Sequence, residues 1–338
     1  MKLRTRWAVS GIAVWIGLSG ALGASRIGEH FWPTPNDAFA RGKGLSQFVQ
    51  PTQTGRLESA LWGCVRNNGS RFHEGIDLKA IHRDRHGEPS DSIYAFDDGV
   101  VSYVNRNPSK SSYGRYIVVE HPEWMPGMVT LYAHLSAVPD RIKAGLSVRG
   151  GQTIATMGRS ASYAIPRERA HLHFEIGLWL GPRFQKWYDT RRFDTRNDHR
   201  SYNGMNIVGT NVWALLQSLR SGETRSVAEY FAAERTAVLV TIWDDGIPDL
   251  LQVNPQLMIN DLLPMDHAGW RIAFSASGVP LRFEALSGSE RAGSKRMTVE
   301  IVDEGLAKSD PCAAMVRPGT IGGPSARLSS LLDRLFVD

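Results

Sequence analysis

Histidine and aspartate side chains recur in this chain at spacings that could hold a metal ion and act on what it binds. The clearest group is His171-Leu172-His173, inside Ala170-His171-Leu172-His173-Phe174-Glu175-Ile176. Apolar and polar residues nearly alternate there, which predicts a strand. Residues two apart on a strand share a face, so His171 and His173 point one way and Leu172 and Phe174 the other. One imidazole could bind a metal while its neighbour works on the metal's other ligand. The bland alternative is a solvated face, and an HxH pair by itself carries little weight. A second stretch, Arg71-Phe72-His73-Glu74-Gly75-Ile76-Asp77-Leu78, offers partners. Its His-Glu-x-x-Asp order superficially resembles the helical zincin motif, with Glu74 as base. Gly75 is a poor helix residue, Ile76 is β-branched and Asn68-Gly69 precede closely, so a loop running into a strand is expected instead. His73 and Asp77 alone could be a surface pair. With His173 they supply two imidazoles and one carboxylate, leaving one tetrahedral position open for water, as in catalytic zinc sites.

The elements that must position these residues are short strands. Ser92 to Phe96, Val100 to Asn105, Arg115 to Glu120, Val129 to His134, Thr153 to Met157 and His171 to Leu178 all read as β. Turns punctuate them, and Asp97-Asp98-Gly99 is the clearest hairpin signal. The spacing predicts a mostly antiparallel sheet with long loops over about 55–204. Residues 25–54 carry Pro33, Pro35 and Pro51 with no clear periodicity, and read as a linker or loose arm.

Composition sets the frame. A chain of 338 residues with 42% hydrophobic and 22% charged residues is an ordinary globular protein, long enough for one or two cores. The net charge of +5 would suit a polyanionic neighbourhood. No helix-turn-helix, zinc-finger or aromatic-basic strand signature accompanies it, so no nucleic-acid partner is expected. Met1 to Arg6 is basic and Trp7 to Ala24 is apolar and small, with cleavage-type residues at Ala21, Gly23 and Ala24. Residues 1–24 therefore read as a signal peptide or an uncleaved membrane anchor. The folded part is expected outside the cytoplasm, in a periplasm or extracellular envelope, with the membrane touched only through that segment. The two cysteines, Cys64 and Cys312, could form a bridge there or stay as separate thiols.

Taken together, His73-x-x-x-Asp77, Tyr132-Ala133-His134-Leu135 and His171-Leu172-His173-Phe174-Glu175 resemble the lysostaphin-type (LytM-type) zinc metallopeptidases in order and context. Flanking residues are similar too: Trp62-Gly63-x-x-Arg66, Tyr94-Ala95, Gly99-Val100-Val101, Tyr113-Gly114 and Gly151-Gln152-x-Ile154-x-x-Met157-Gly158. The likeness covers about 55–180. It implies a small antiparallel β domain with one zinc ion in a groove between loops. By resemblance, His73, Asp77 and His173 are the zinc ligands, and His134 and His171 are metal-free histidines flanking the catalytic water. His171 would move the proton and His134 would hydrogen-bond the water or the developing oxyanion. Glu74 and Glu175 are not required, and Glu175 could support a ligand from behind. The implied activity is a zinc endopeptidase cutting peptide cross-links of bacterial cell-wall peptidoglycan. The alternative is a non-catalytic wall-binding regulator of other hydrolases, since some relatives have lost zinc ligands; here all five positions are intact.

Three departures bear on specificity. The polar loop His82-Arg83-Asp84-Arg85-His86-Gly87-Glu88-Pro89 is additional, and its histidines read as solvated rather than as a second metal site. The loop Tyr163 to Ala170 is longer and more charged than usual. Arg115 stands where the family often has Asn. Past about 200 the likeness ends. Asn211 to Arg220 and Ser325 to Phe336 are apolar at helical spacing, and Ser226-Val227-Ala228-Glu229 is a capping box. Strand-like runs lie at Val238 to Trp243, Trp270 to Ala276, Leu281 to Leu286 and Met297 to Val302. A smaller α+β domain is expected at 205–338, with no chemistry of its own.

Overall fold

A computed structural model of the chain describes residues 24–291, 293–317 and 323–337. The export segment expected at 1–24 lies outside these residues except for Ala24. Among the described residues, no helix is long and apolar enough to cross a membrane.

The chain is mainly β, and its named strands pair antiparallel. They are β1 (Arg26–Ile27), β2 (His30–Phe31), β3 (Gly63–Arg66), β4 (Arg71–His73), β5 (Ile76–Lys79), β6 (Ser92–Tyr94), β7 (Gly99–Asn105), β8 (Arg115–Glu120) and β9 (Met128–Leu135). There follow β10 (Ser147–Val148), β11 (Thr153–Thr156), β12 (His171–Trp179), β13 (Ile207–Gly209), β14 (Val238–Ile242), β15 (His267–Phe274), β16 (Pro280–Ser287) and β17 (Met297–Ile301). The α-helices are α1 (Phe184–Thr190), α2 (Val212–Ser221), α3 (Val227–Ala232), α4 (Asp249–Val253), α5 (Glu304–Ala307) and α6 (Ala326–Leu335).

The main sheet runs β10-β7-β8-β9-β12-β13, with β5 also paired to β12. Strand β12 is its centre: β9 pairs along one side, and β5 and then β13 along the other. Leu172, Phe174, Ile176 and Leu178 alternate along it at 0% exposure. They belong to one apolar cluster with Ile76, Leu78, Phe96 and Tyr132. A leucine this deep costs about 3–5 kcal/mol when cut to alanine, so this face strongly specifies the register.

Two expectations fail here. Residues 25–54 are no loose arm: Trp32, Phe39 and Phe48 are at most 1% exposed, and the Phe39 and Phe48 rings pack on Trp213 of α2. Proline removes periodicity, but large aromatic side chains still bury enough area to hold a segment down. Asp97-Asp98-Gly99 makes no hairpin either, because β6 pairs with β11 while β7 pairs with β8 and β10. Its carboxylates serve longer-range contacts. Asp97 Oδ2 accepts from His30 Nδ1 at 2.8 Å and Trp124 Nε1 at 2.9 Å, and Asp98 Oδ1 accepts from the Gly150 amide at 2.7 Å. Turn chemistry is local, whereas strand partners are chosen by burial across the whole sheet.

The C-terminal part has a four-stranded sheet, β16-β15-β14-β17. Asn211 caps α2 by accepting from the Ala214 amide at 3.0 Å. Ser226 caps α3, but Glu229 accepts from the Arg225 amide rather than from Ser226, so the expected box is only half made. Helix α6 buries Leu328, Leu331, Leu332 and Leu335. Buried apolar side chains of both sheets form one continuous cluster, and a Cys64–Cys312 disulfide ties residues 248 apart.

Candidate functional site

Strands β5, β9 and β12 of the main sheet, with β4 of the separate β3-β4 pair, bring His73, Asp77, His134, His171 and His173 to one place. His173 stands directly opposite Asp77 on β5 and Ala133 on β9. His73 closes β4, and the chain then crosses beside β12 at Gly75. A Cβ on Gly75 would lie 2.5 Å from the Phe174 carbonyl oxygen and 3.0 Å from His173 Cε1, so a side chain there would hold the strands apart. His134 has φ 62°. The ladder is bulged beside it: Arg115 faces Leu135 and Ile117 faces Tyr132, leaving Tyr116 opposite two residues. Plain alternation would send His134 to the side of the core residue Tyr132. The bulge and the left-handed backbone turn it into the cleft instead, a strained arrangement typical of working sites.

Three ligand-type atoms converge. His73 Nε2, His173 Nδ1 and Asp77 Oδ1 form a triangle with sides of 3.0, 3.0 and 3.1 Å. Each ring's other nitrogen is already engaged. His73 Nδ1–H donates to the Leu61 carbonyl at 2.7 Å, and His173 Nε2–H donates to Glu175 Oε1 at 2.7 Å. The Tyr113 hydroxyl donates to the same Glu175 oxygen at 2.6 Å. With the tautomers set this way, two imidazole lone pairs and a carboxylate oxygen face one another. Three acceptors so close repel unless a proton or cation lies among them. Ligand atoms bonded at about 2.0–2.1 Å to a tetrahedral zinc lie roughly 3.3 Å apart, so this donor set fits that ion. Among the described residues this is the group able to hold a metal, and His82 and His86 are not part of it. His82 Nδ1 is instead paired with Asp91 at 2.6 Å.

His171 and His134 stand at the edge of the triangle. His171 Nδ1–H donates to the Arg169 carbonyl at 2.7 Å, leaving Nε2 free at 3.5 Å from Asp77 Oδ1. His134 Nδ1–H donates to the Ser160 carbonyl at 2.9 Å, and its ring meets that of His171 edge-on at 4.7 Å. Burial lowers the pKa of both, and for His134 the neighbouring His171 and His173 lower it further. Each is therefore neutral at pH 7 with one free nitrogen, the state a proton acceptor needs. Burial also lowers His73. At His173 burial is outweighed by the bonds to Asp77 and Glu175, which push it up to about 9. A cation bound there competes with that proton, so metal affinity weakens in acid. Burial resists ionisation of Asp77, yet His73, His171 and Arg66 hold it well below the usual carboxylate range.

Arg66 has no role assigned from sequence beyond its place in Trp62-Gly63-x-x-Arg66. Its Nη2 donates to Asp77 Oδ2 and to His73 Nε2, the latter at 2.8 Å, while Nε donates to the Ser59 carbonyl at 3.1 Å. That leaves Oδ1 as the oxygen facing the two imidazoles. The two unusual loops brace each other: Glu88 accepts from Arg159 Nε and Nη2, both at 2.8 Å, and from Arg167 Nε at 3.1 Å. The cleft above the histidines has a volume of about 590 Å³, and Tyr163 of the longer loop lines it.

A family model for peptidase family M23 matches residues 71–182. This segment is an M23 peptidase domain. Among solved structures, a zinc-containing peptidase from Vibrio cholerae is 30% identical over 31% of this chain and 26% of its own, with a TM-score of 0.24. The catalytic domain of lysostaphin from Staphylococcus simulans is 17% identical over 52% of this chain and 96% of its own, with a TM-score of 0.30. A putative glycyl-glycine endopeptidase LytM from Ruminococcus gnavus is 21% identical over 47% of this chain and 51% of its own, with a TM-score of 0.30. This chain thus spans about a quarter of the V. cholerae peptidase it matches. No curated protein matches the chain.

Proposed function

We propose that the chain is a zinc-dependent endopeptidase that hydrolyses peptide cross-links of bacterial cell-wall peptidoglycan, and that it works outside the cytoplasm. The observation that carries this reading is the convergence of His73 Nε2, Asp77 Oδ1 and His173 Nδ1 beside two further histidines, each with a free nitrogen. Zinc held by the three ligands would supply a Lewis acid that brings the pKa of a coordinated water from 15.7 to about 7 and polarises the scissile carbonyl. The protein's own part is positioning and proton movement. His171 takes a proton at Nε2 and returns it to the leaving amine. His134 donates or accepts a hydrogen bond beside it, holding the nucleophile or the developing oxyanion. Glu175, fixed by Tyr113, keeps the His173 ring turned so that Nδ1 faces the metal.

The test is digestion of purified peptidoglycan from several bacteria by the zinc-loaded protein, with mass spectrometry of the released peptides. Loss of cross-linked dimers that stops on chelation and resumes with zinc is the expected result. Intact dimers in every digest of zinc-loaded protein would replace this reading with that of a non-catalytic wall-binding regulator.

A further inference from the structure

The cleft continues past the histidines. Phe72, Glu74, Gly204 and Met205 line it and also line a second pocket of about 330 Å³, whose far wall is α6. Arg327 and Arg334 project into that wall two helical turns apart, hence from one face. Both are partly buried, and among the described residues both are held by carbonyls rather than by a carboxylate. Arg327 donates to the carbonyls of Ala313 and Ser277 and stacks 5.1 Å from the centre of the Phe72 ring. Arg334 donates to the Ser330 carbonyl at 3.0 Å and to that of Met205. Burial lowers Arg334, and the positive charges of Arg327 and Arg191 lower it further, against the pull of Asp333, to about 10. Burial lowers Arg327 as well, against the weaker pull of Asp310 and Glu74. Glu74 stands at the mouth shared by both pockets, and Asp310 and Asp333 act on Arg327 and Arg334 from further off, but among the described residues neither guanidinium is in an ion pair with a carboxylate. Charges taken out of water are normally in contact with an opposite charge, and two guanidiniums that lack one line this wall, which suits an anionic group.

We propose that this pocket is a subsite of the cleft that binds a carboxylate carried by the peptide substrate, with Arg334 and Arg327 as its donors. The inference rests on the endopeptidase reading, and through it the C-terminal part reads charge on the chain being cut. The planar guanidinium fork matches a carboxylate better than an ammonium would. A peptide lying across the histidines reaches the subsite along the wall of Phe72 and Met205. Arg334 is the better probe, because Arg327 also supports Phe72 next to His73.

The experiment compares two cross-linked peptide dimers, identical except that one has free carboxylates and the other has them amidated, using the zinc-loaded full chain. Losing a charge-assisted bond in a partly buried site lowers kcat/KM by about 10- to 100-fold, which is the penalty expected for amidation. That penalty should vanish in Arg334→Gln and partly persist in Arg334→Lys, with zinc content unchanged in both. Equal rates for the two dimers with the wild-type protein overturn the subsite, whatever the variants do. If neither dimer is cut, the endopeptidase reading fails, and calorimetric binding of the same peptides decides the subsite. Equal Kd values overturn it. Tighter binding of the free acid, lost in Arg334→Gln, upholds it.

Discussion

Replacing His171 by alanine tests the division of labour among the five cleft residues. Its free Nε2 lies 3.5 Å from Asp77 Oδ1, outside the 3.0–3.1 Å triangle made by His73, Asp77 and His173. His171→Ala leaves those three atoms in place, along with the anchors at Leu61, Glu175 and Arg66. The variant should purify with about one zinc per chain. Its turnover should fall by about 10²–10⁴-fold, the usual contribution of a positioned general base, or roughly 3–5 kcal/mol of barrier. His173→Ala is the opposite case. It removes a proposed ligand and leaves Glu175 without its imidazole partner, so zinc occupancy should drop sharply and activity with it. His134→Ala should keep zinc and lose less activity than His171→Ala, because its proposed role is hydrogen bonding. Elemental analysis of the purified variants beside a peptidoglycan-release assay reads both effects. Loss of zinc in His171→Ala with retention in His173→Ala would reverse the roles. If both variants keep zinc and full activity, β12 is not part of the active site.

Glu175→Gln should weaken zinc binding by about 10- to 100-fold in a chelator competition, since the carboxylate orients His173 and raises its basicity; an unchanged affinity would remove Glu175 from the site's support. Removing the Cys64–Cys312 bridge, which closes a span of 248 residues, should lower stability by about 2–5 kcal/mol. A denaturation midpoint identical to that of the wild type would contradict this. His121, buried against the Asp98 carbonyl and Thr130, has its pKa pushed down to about 4 by burial. The unfolded chain takes up that proton near pH 6.5 and the folded chain does not, so stability should fall as pH drops from 6.5 towards 4. The loss is about 3 kcal/mol in all, at roughly 1.4 kcal/mol per unit. Denaturant titrations at pH 7, 5 and 4 on the wild type and His121→Gln check it, and an equally steep decline in the variant would refute the assignment.

Much of the frame of the site is legible along the chain. The period of two at 170–176 puts His171, His173 and Glu175 on one face and Leu172 and Phe174 in the core, because alternation is a property of any strand. Gly75 and Ile76 argue against a helix, and β5 does begin at Ile76. The helices over 211–220 and 325–336 follow from apolar spacing and from caps at Asn211 and Ser325. Local signals carry no information about distant partners, and there the reading fails. Asp97-Asp98-Gly99 has hairpin chemistry but joins strands of two different sheets. The aperiodic arm at 25–54 is pinned by Trp32, Phe39 and Phe48.

The remaining decisions belong to the tertiary structure. The bulge that turns His134 from the core side into the cleft depends on the mismatch between β8 and β9, not on the residues around His134. The carbonyls of Leu61, Arg169 and Ser160 and the carboxylate of Glu175 set the tautomers of the four histidines. Three of those four acceptors are backbone atoms, which every residue carries and no motif can mark. Arg66 on Asp77, and Arg327 with Arg334 beyond Phe72, meet the site only because β3, β4 and α6 pack together. The sequence by itself determines which side chains can ligate, accept a proton or pair with charge, since that is residue chemistry plus the strand period. Which lone pairs face one another is decided by register, bulges and burial, which are properties of the whole core.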